Sequence, residues 1–276
     1  MQLLHLVVFL MMLALSPALR AAETPAPRPD PHQQMEQEVA ALRAAQLISR
    51  IARPIPLTVE ESAEVQGRYE DLLRRFPNEA EPHVALGEFH LSLGKREAAF
   101  AEWKLALTLD PARHDVLAAQ ADLLLQTGQI VAAADALEMA AKLAPRKAEY
   151  PFGLAHVYTL FRRDLLVSRH ATEDELITRG TEYFRQAAEL APQNPAYMQA
   201  YAEAFYTQPH PDWKLARAAW ESLLPRVAGK DFIHSHLVRI NIRLHDKAAA
   251  SEHLAALTDP AFSMLKARLQ KQIDKL

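Results

Sequence analysis

The sequence predicts an all-α chain built as a stack of antiparallel helix pairs, and three observations carry that expectation. Half of the 276 positions are apolar, enough to bury a substantial core. Only seven glycines stand beside many Ala, Leu, Glu, Arg and Gln residues, a composition that favours helices over the β-branched, turn-rich sequence of a sheet protein. Gly94 and Gly128, Ala99 and Ala133, Ala106 and Ala140, and Pro111 and Pro145 are each 34 residues apart. A fixed period of about 20 to 50 residues marks a solenoid, in which each repeat buries its apolar face against the next.

The elements follow in chain order. Leu6–Leu15 (LVVFLMMLAL) is an apolar run of signal-peptide length, followed by Pro17 and the small residues of SPALRAA. It predicts a cleaved signal peptide, residues 1–22, and a periplasmic or secreted mature protein. A retained N-terminal anchor is the rival reading, although the run is shorter than the roughly 20 residues of a spanning helix. Pro25, Pro27, Pro29 and Pro31 alternate, so residues 23–32 read as an extended, Pro-rich linker. From Gln33 the spacing of Met35, Val39, Leu42, Leu47 and Ile48 is helical. The Arg53-Pro54-Ile55-Pro56 stretch breaks that helix, and a second one runs from Val59 to Arg75. Residues 33–77 thus form N-terminal helices ahead of a repeat array over 78–259.

Within that array one repeat supplies Leu86-Gly87, His90, Gly94, Ala99, Trp103, Ala106 and Pro111. The next supplies Ala121, Leu124, Gly128, Ala133, Leu137, Ala140 and Pro145. A third contains Leu154-Ala155, Tyr158, Phe184, Ala187 and Pro192; a fourth has Ala202, Phe205, Ala216, Trp220 and Leu223; a fifth has Val238, Ala250, Leu254 and Leu257. Tyr69 and Leu72 fall in phase as half of a degenerate leading repeat. This pattern resembles the tetratricopeptide repeat. The resemblance implies a right-handed superhelical solenoid, a concave groove lined by the first helix of each pair, and no catalytic residues.

The letters also have physical reasons. Gly94 and Gly128 fall where two helices reverse and can adopt positive φ. Gly87, Ala99 and Ala133 allow close helix approach, while Trp103, Leu137, Phe184 and Trp220 fill the space between repeats. Beyond the array, Phe262, Leu265, Leu269 and Ile273 share one face of a helix in 260–276, suited to capping the stack.

The third repeat departs from the period, because Pro145 and Pro192 are 47 residues apart. Thr172 and Glu175 have capping-box spacing, so the extra residues fall near Arg163–Ala171, as a loop or an extra helical turn. Arg162, Arg163, Arg169 and His170 concentrate cations there, making a contact element the alternative to a tolerated surface insertion. QPHPDW, Gln208–Trp213, reads as a lengthened turn.

Several function classes find no support. A net charge of −3 argues against nucleic-acid binding, and no Lys/Arg block suggests strong membrane association once the signal is removed. No cysteine is present. His83 and His90 are seven residues apart on one helix face, while His234 and His236 point to different sides of theirs, so neither pair chelates one zinc locally. Phosphate-loop, dinucleotide and nucleophile-elbow signatures are missing. We therefore expect no enzyme and no cofactor.

The repeat phase carries the family's groove lining onto Glu88, Asp122, His156, Glu203 and Arg239 at one equivalent slot, with Phe152 and Tyr206 nearby. Chaperone-binding members of the family hold a peptide carboxylate with Lys and Asn in this region; acids here disfavour that clamp. An acidic, aromatic groove suits a neutral or basic extended peptide, or a partner helix. The expectation is an exported bacterial scaffold or adaptor for a protein or peptide partner. The alternative is a noncatalytic regulatory subunit of a cell-envelope enzyme.

Overall fold

The computed structural model describes residues 30–52, 56–169 and 171–276. The predicted signal segment, the linker as far as Pro29, the Arg53–Ile55 break and His170 lie outside the described residues. The chain divides into one part that ends at Val65 and another from Gln66 to Leu276. Among the described residues there is no strand.

In the first part, α1 spans Pro31–Ala52 and buries Met35 and Val39, while Leu47 and Ile48 are exposed. It starts two residues before the apolar periodicity does. Pro31 has no N–H to leave unpaired at the first helical position, and the Asp30 carbonyl accepts the Gln34 N–H at 2.9 Å. Helix α2, Val59–Arg75, opens with a reciprocal cap: the Glu61 N–H donates to Thr58 Oγ1 at 3.2 Å and the Thr58 N–H to Glu61 Oε2 at 2.8 Å.

The second part is a solenoid of helix pairs. Tyr69 and Leu72 on α2 are buried, with Tyr69 packing on Phe89 at 5.9 Å between ring centres. The pairs are α3 (Ala80–Ser92) with α4 (Arg96–Leu109), and α5 (His114–Gln126) with α6 (Ile130–Leu143). Next, α7 (Glu149–Leu160) pairs with α9 (Glu173–Leu190), and between them lies the short α8 (Arg162–Ser168). Then α10 (Pro195–Ala204) pairs with α11 (Trp213–Glu221), and α12 (Lys230–Arg243) with α13 (Lys247–Ala255). A 3₁₀ turn at Pro260–Phe262 leads into α14, Ser263–Ile273.

Repeat slots explain the stacking. Ala99, Ala133, Gly180, Ala216 and Ala250 occupy one slot on the second helices and are all buried, so the partner helix can approach closely. Four residues on, Trp103, Leu137, Phe184, Trp220 and Leu254 are buried as the large partners. Trp103 joins Val84 of its own repeat to Val116 and Leu123 of the next, so one side chain holds two repeats together. At the C-terminus Leu269 and Ile273 of α14 close over Val238, Leu254 and Leu257, which gives the last repeat the cover that a following repeat would otherwise supply.

The turns within the first, second and fifth pairs follow one design. Gly94 and Gly128 have φ of 74° and 76°, and the Lys95 and Gln129 N–H groups reach back to the His90 and Leu124 carbonyls at 2.9 and 2.8 Å. This Schellman closure satisfies carbonyls at each helix end. The fifth repeat makes the same turn without glycine: His245 has φ of 56°, and the Asp246 N–H reaches the Asn241 carbonyl at 2.9 Å. A Cβ in this left-handed region is strained by roughly 1 kcal/mol. His245→Gly is expected to stabilise the chain by about 0.5–1 kcal/mol, read as a higher urea midpoint. An unchanged or lower midpoint would show that the His245 side chain compensates its backbone.

Candidate functional site

The first helices of the repeats are tied side by side by a continuous series of polar and aromatic contacts. Arg113, which precedes α5, donates to Glu81 of α3 and to Asp115, both at 2.6 Å. The Arg113 hydrogen bond holds the Asp115 carboxyl below its ordinary range. His114 Nδ1 on α5 meets the Tyr150 hydroxyl on α7 at 2.7 Å. Phe152 on α7 lies 4.3 Å from Tyr197 on α10, between ring centres. Tyr206, in the 3₁₀ turn Phe205–Thr207 that follows α10, places its hydroxyl 2.9 Å from His236 Nδ1 on α12.

Along this series the predicted groove residues occupy different environments. Glu88 and Asp122 are exposed on α3 and α5. Although the Asp122 side chain reaches solvent, the neighbouring helices shield part of its carboxyl, and this partial loss of solvation raises it above its ordinary range. Phe152 and His156 come together on α7, half-buried at 4.6 Å in an edge-on arrangement, and His156 also meets Phe184 edge-on at 5.2 Å. Burial among these rings lowers the His156 pKa. Glu203 is exposed on α10 and accepts from Gln199 Nε2 at 2.8 Å. Tyr206 is 37 % exposed, and Arg239 projects from α12 close enough to act electrostatically on both Tyr206 and His236.

Four residues of this face were not among the predicted groove residues: Tyr197, Trp213, His236 and Arg243. His236 takes a slot held by Ala85, Ala119, Gly153 and Ala200 in the other repeats, so repeat phase pointed to a small packing residue. Instead its ring stacks on Trp220 at 4.0 Å and 7° and meets Phe232 at 4.6 Å. Trp213 is the first residue of α11, whose start is capped by Asp212 accepting from the Lys214 and Leu215 N–H groups, and the Arg243 guanidinium lies 4.6 Å from the Trp213 ring centre. The only signal for this cluster was the insertion itself. With Arg239 and Arg243 together on α12, the series is acidic in its first two repeats and basic in its last.

Burial, followed by Arg239, lowers the His236 pKa to about 4, so the folded chain keeps this ring neutral. The unfolded chain takes up the proton near the ordinary value of about 6.5. Stability from this group is therefore complete above that value and is lost as pH falls from about 6.5 toward 4. Between pH 7 and pH 5 the expected loss is about 2 kcal/mol. In His236→Phe, which keeps a ring on Trp220, that part of the pH dependence should disappear from urea melts; an unaltered profile would assign it to other histidines.

The insertion is built into the core. Leu165 of α8 is fully buried with Ile130, Tyr158 and Leu176. Thr172 and Glu175 complete the capping box that starts α9, with the Thr172 N–H donating to Glu175 Oε2 at 2.7 Å. Arg169 is held by Asp135 at 2.7 Å and Glu138 at 3.3 Å on α6, and Glu138 also accepts from the Tyr158 hydroxyl at 2.8 Å. Arg162 lies 3.7 Å from Glu173. Arg163 is exposed. Two of the three insertion arginines thus have internal partners, and Arg169 in particular fastens α8 to the second repeat.

No family description and no curated protein matches the chain. Solved structures do share its fold. The chain is similar to pilF of Pseudomonas aeruginosa at 16 % identity, covering 87 % of this chain and 99 % of that one, with a TM-score of 0.53. It is also similar to YrrB, a TPR protein with an unusual peptide-binding site, at 16 % identity over 74 % of this chain and 97 % of YrrB, with a TM-score of 0.54. A structure of MamA from AMB-1 aligns at 12 % identity over 72 % of this chain and 94 % of MamA, with a TM-score of 0.50. The fold is therefore that of the tetratricopeptide solenoids.

Proposed function

We propose that this chain is an exported protein-binding scaffold or adaptor of the bacterial cell envelope that holds an extended peptide or a partner helix along its first helices. The observation that carries the reading is the distribution of large and charged side chains. The second helices bury Trp103, Leu137, Phe184 and Trp220, whereas the first helices and the turn after α10 leave Phe152, Tyr197 and Tyr206 partly open beside Glu88, Asp122 and Arg239. Partly open rings flanked by charge suit peptide recognition, with rings giving contact area and charges setting register. The peptide-binding site of YrrB, on the same fold, supports the reading.

Export rests on the signal-like start of the sequence. Among the described residues no helix is long and apolar enough to cross a membrane. The test is a crosslinking pull-down from the native envelope fraction, comparing the wild type with Glu88→Lys/Asp122→Lys. Both positions are exposed, so the variant should fold normally while losing at least tenfold of the recovered partner. Undiminished recovery would remove these acids from the binding surface. Recovery of an intact envelope enzyme whose activity the chain alters would favour the regulatory-subunit alternative.

A further inference from the structure

The repeat slots carry one more pairing that the proposed groove does not use. Residue 83 of the first repeat faces residue 102 across its helix pair, where His83 Nδ1 lies 2.7 Å from Glu102 Oε2. In the middle repeats the same two slots hold Leu117 and Ala136, Pro151 and Tyr183, and Met198 and Ala219. In the fifth repeat they hold His234 on α12 and His253 on α13, with the two Nδ1 atoms 3.1 Å apart and the ring centres at 5.3 Å. Both rings are half-buried, which limits the positions they can sample. The pair is nonlocal, 19 residues apart, so histidine spacing within one helix could not find it.

We propose that His234 and His253 form a two-histidine chelate for a borderline divalent cation of the zinc type, joining the two helices of the last repeat. Two nitrogens each about 2.05 Å from one zinc ion lie about 2.9 Å apart at a right angle and about 3.3 Å apart at the tetrahedral angle. The observed 3.1 Å falls inside that interval, so the ion requires little movement of either helix. The same distance also accommodates an N–H···N hydrogen bond between neutral rings. Moving that shared proton to Nε2 of its own ring leaves both Nδ1 lone pairs facing the ion, without net proton release. Among the described residues no cluster of three or more His, Cys, Asp or Glu could hold a metal, so the described residues supply two ligands here. At least two coordination positions are left to water or to a donor from a bound partner.

The inference is independent of the groove reading, and its test needs no partner. Zn²⁺ is titrated calorimetrically into the untagged full-length chain at pH 7.5, with His234→Gln, His253→Gln, His253→Glu, and the controls His83→Gln and His210→Gln. One equivalent should bind the wild type and both controls, weaken at least tenfold in either Gln variant at positions 234 and 253, and survive with reduced affinity in His253→Glu. That last variant reproduces the carboxylate pairing of the first repeat. Nitrogen-15 spectra of the wild-type imidazoles supply a readout free of substitutions: Zn²⁺ should shift the Nδ1 resonances of two histidines together, and both shifts should reverse with EDTA. Zn²⁺ binding that is equal in wild type and both Gln variants would overturn the proposal, as would imidazole shifts at other histidines alone or no binding at all.

Discussion

Truncating Trp103 to alanine is expected to lower the free energy of unfolding of the first two repeats by about 3–5 kcal/mol, the range for deleting a fully buried large aromatic side chain. Trp103 is 1 % exposed, its Nε1 donates to the Val84 carbonyl at 3.3 Å, and its ring contributes to the junction with Val116 and Leu123. The lost area and the remaining cavity lie between repeats, so the effect should be local. Hydrogen exchange should quicken in α3 to α5 well before α12 and α13, because stability in a solenoid is a sum of neighbouring interfaces. Uniform acceleration throughout the second part would instead indicate one indivisible cooperative body, and an unchanged melt would contradict the assigned junction.

Gly87→Ala should be nearly as informative, because helix propensity and packing make opposite predictions. In an open helix the change would stabilise by about 0.8–1.0 kcal/mol. Here a Cβ at position 87 would overlap the Trp103 indole edge, 2.5 Å from Cδ1 and 3.1 Å from the Ala99 carbonyl oxygen. Displacing a closely packed indole is expected to cost about 1–3 kcal/mol net. The two substitutions must therefore be strongly non-additive. In a Trp103→Ala background the same Gly87→Ala change should be neutral or stabilising, and a double-mutant cycle reads the difference directly. Independent, additive effects would mean that Gly87 is small for some reason other than Trp103.

The repeat architecture was legible in the sequence because its causes are local and recur. Gly94 and Gly128 adopt the expected positive φ, Thr172 and Glu175 form the capping box that their spacing suggested, and α2 spans the residues its pattern indicated. Each of these features depends on neighbours within a few positions. The candidate site was less legible because its contacts join separate repeats and are made where the repeat departs from its own pattern. His236 replaces a residue that is small in the other four repeats, and Trp213 opens α11 directly after a turn lengthened beyond the period. Arg169 looked like an available cation because Asp135 and Glu138 are more than 30 positions earlier in the chain, yet it is committed to them both. Periodicity predicts what repeats share, whereas the particular contacts of one repeat need the fold.

Partly open rings and charges distinguish the first-helix face, and site-specific photocrosslinking reads whether a partner lies along it. A photoreactive side chain is placed singly at Asp122 and Tyr206 on that face, and at Leu105 and Leu143, which are exposed on the second helices of the first two repeats. Irradiation in the native envelope fraction should give a common partner adduct from positions 122 and 206, with little from 105 and 143. An adduct confined to the second-helix positions would rule out the first-helix face and move the binding surface to the opposite helices.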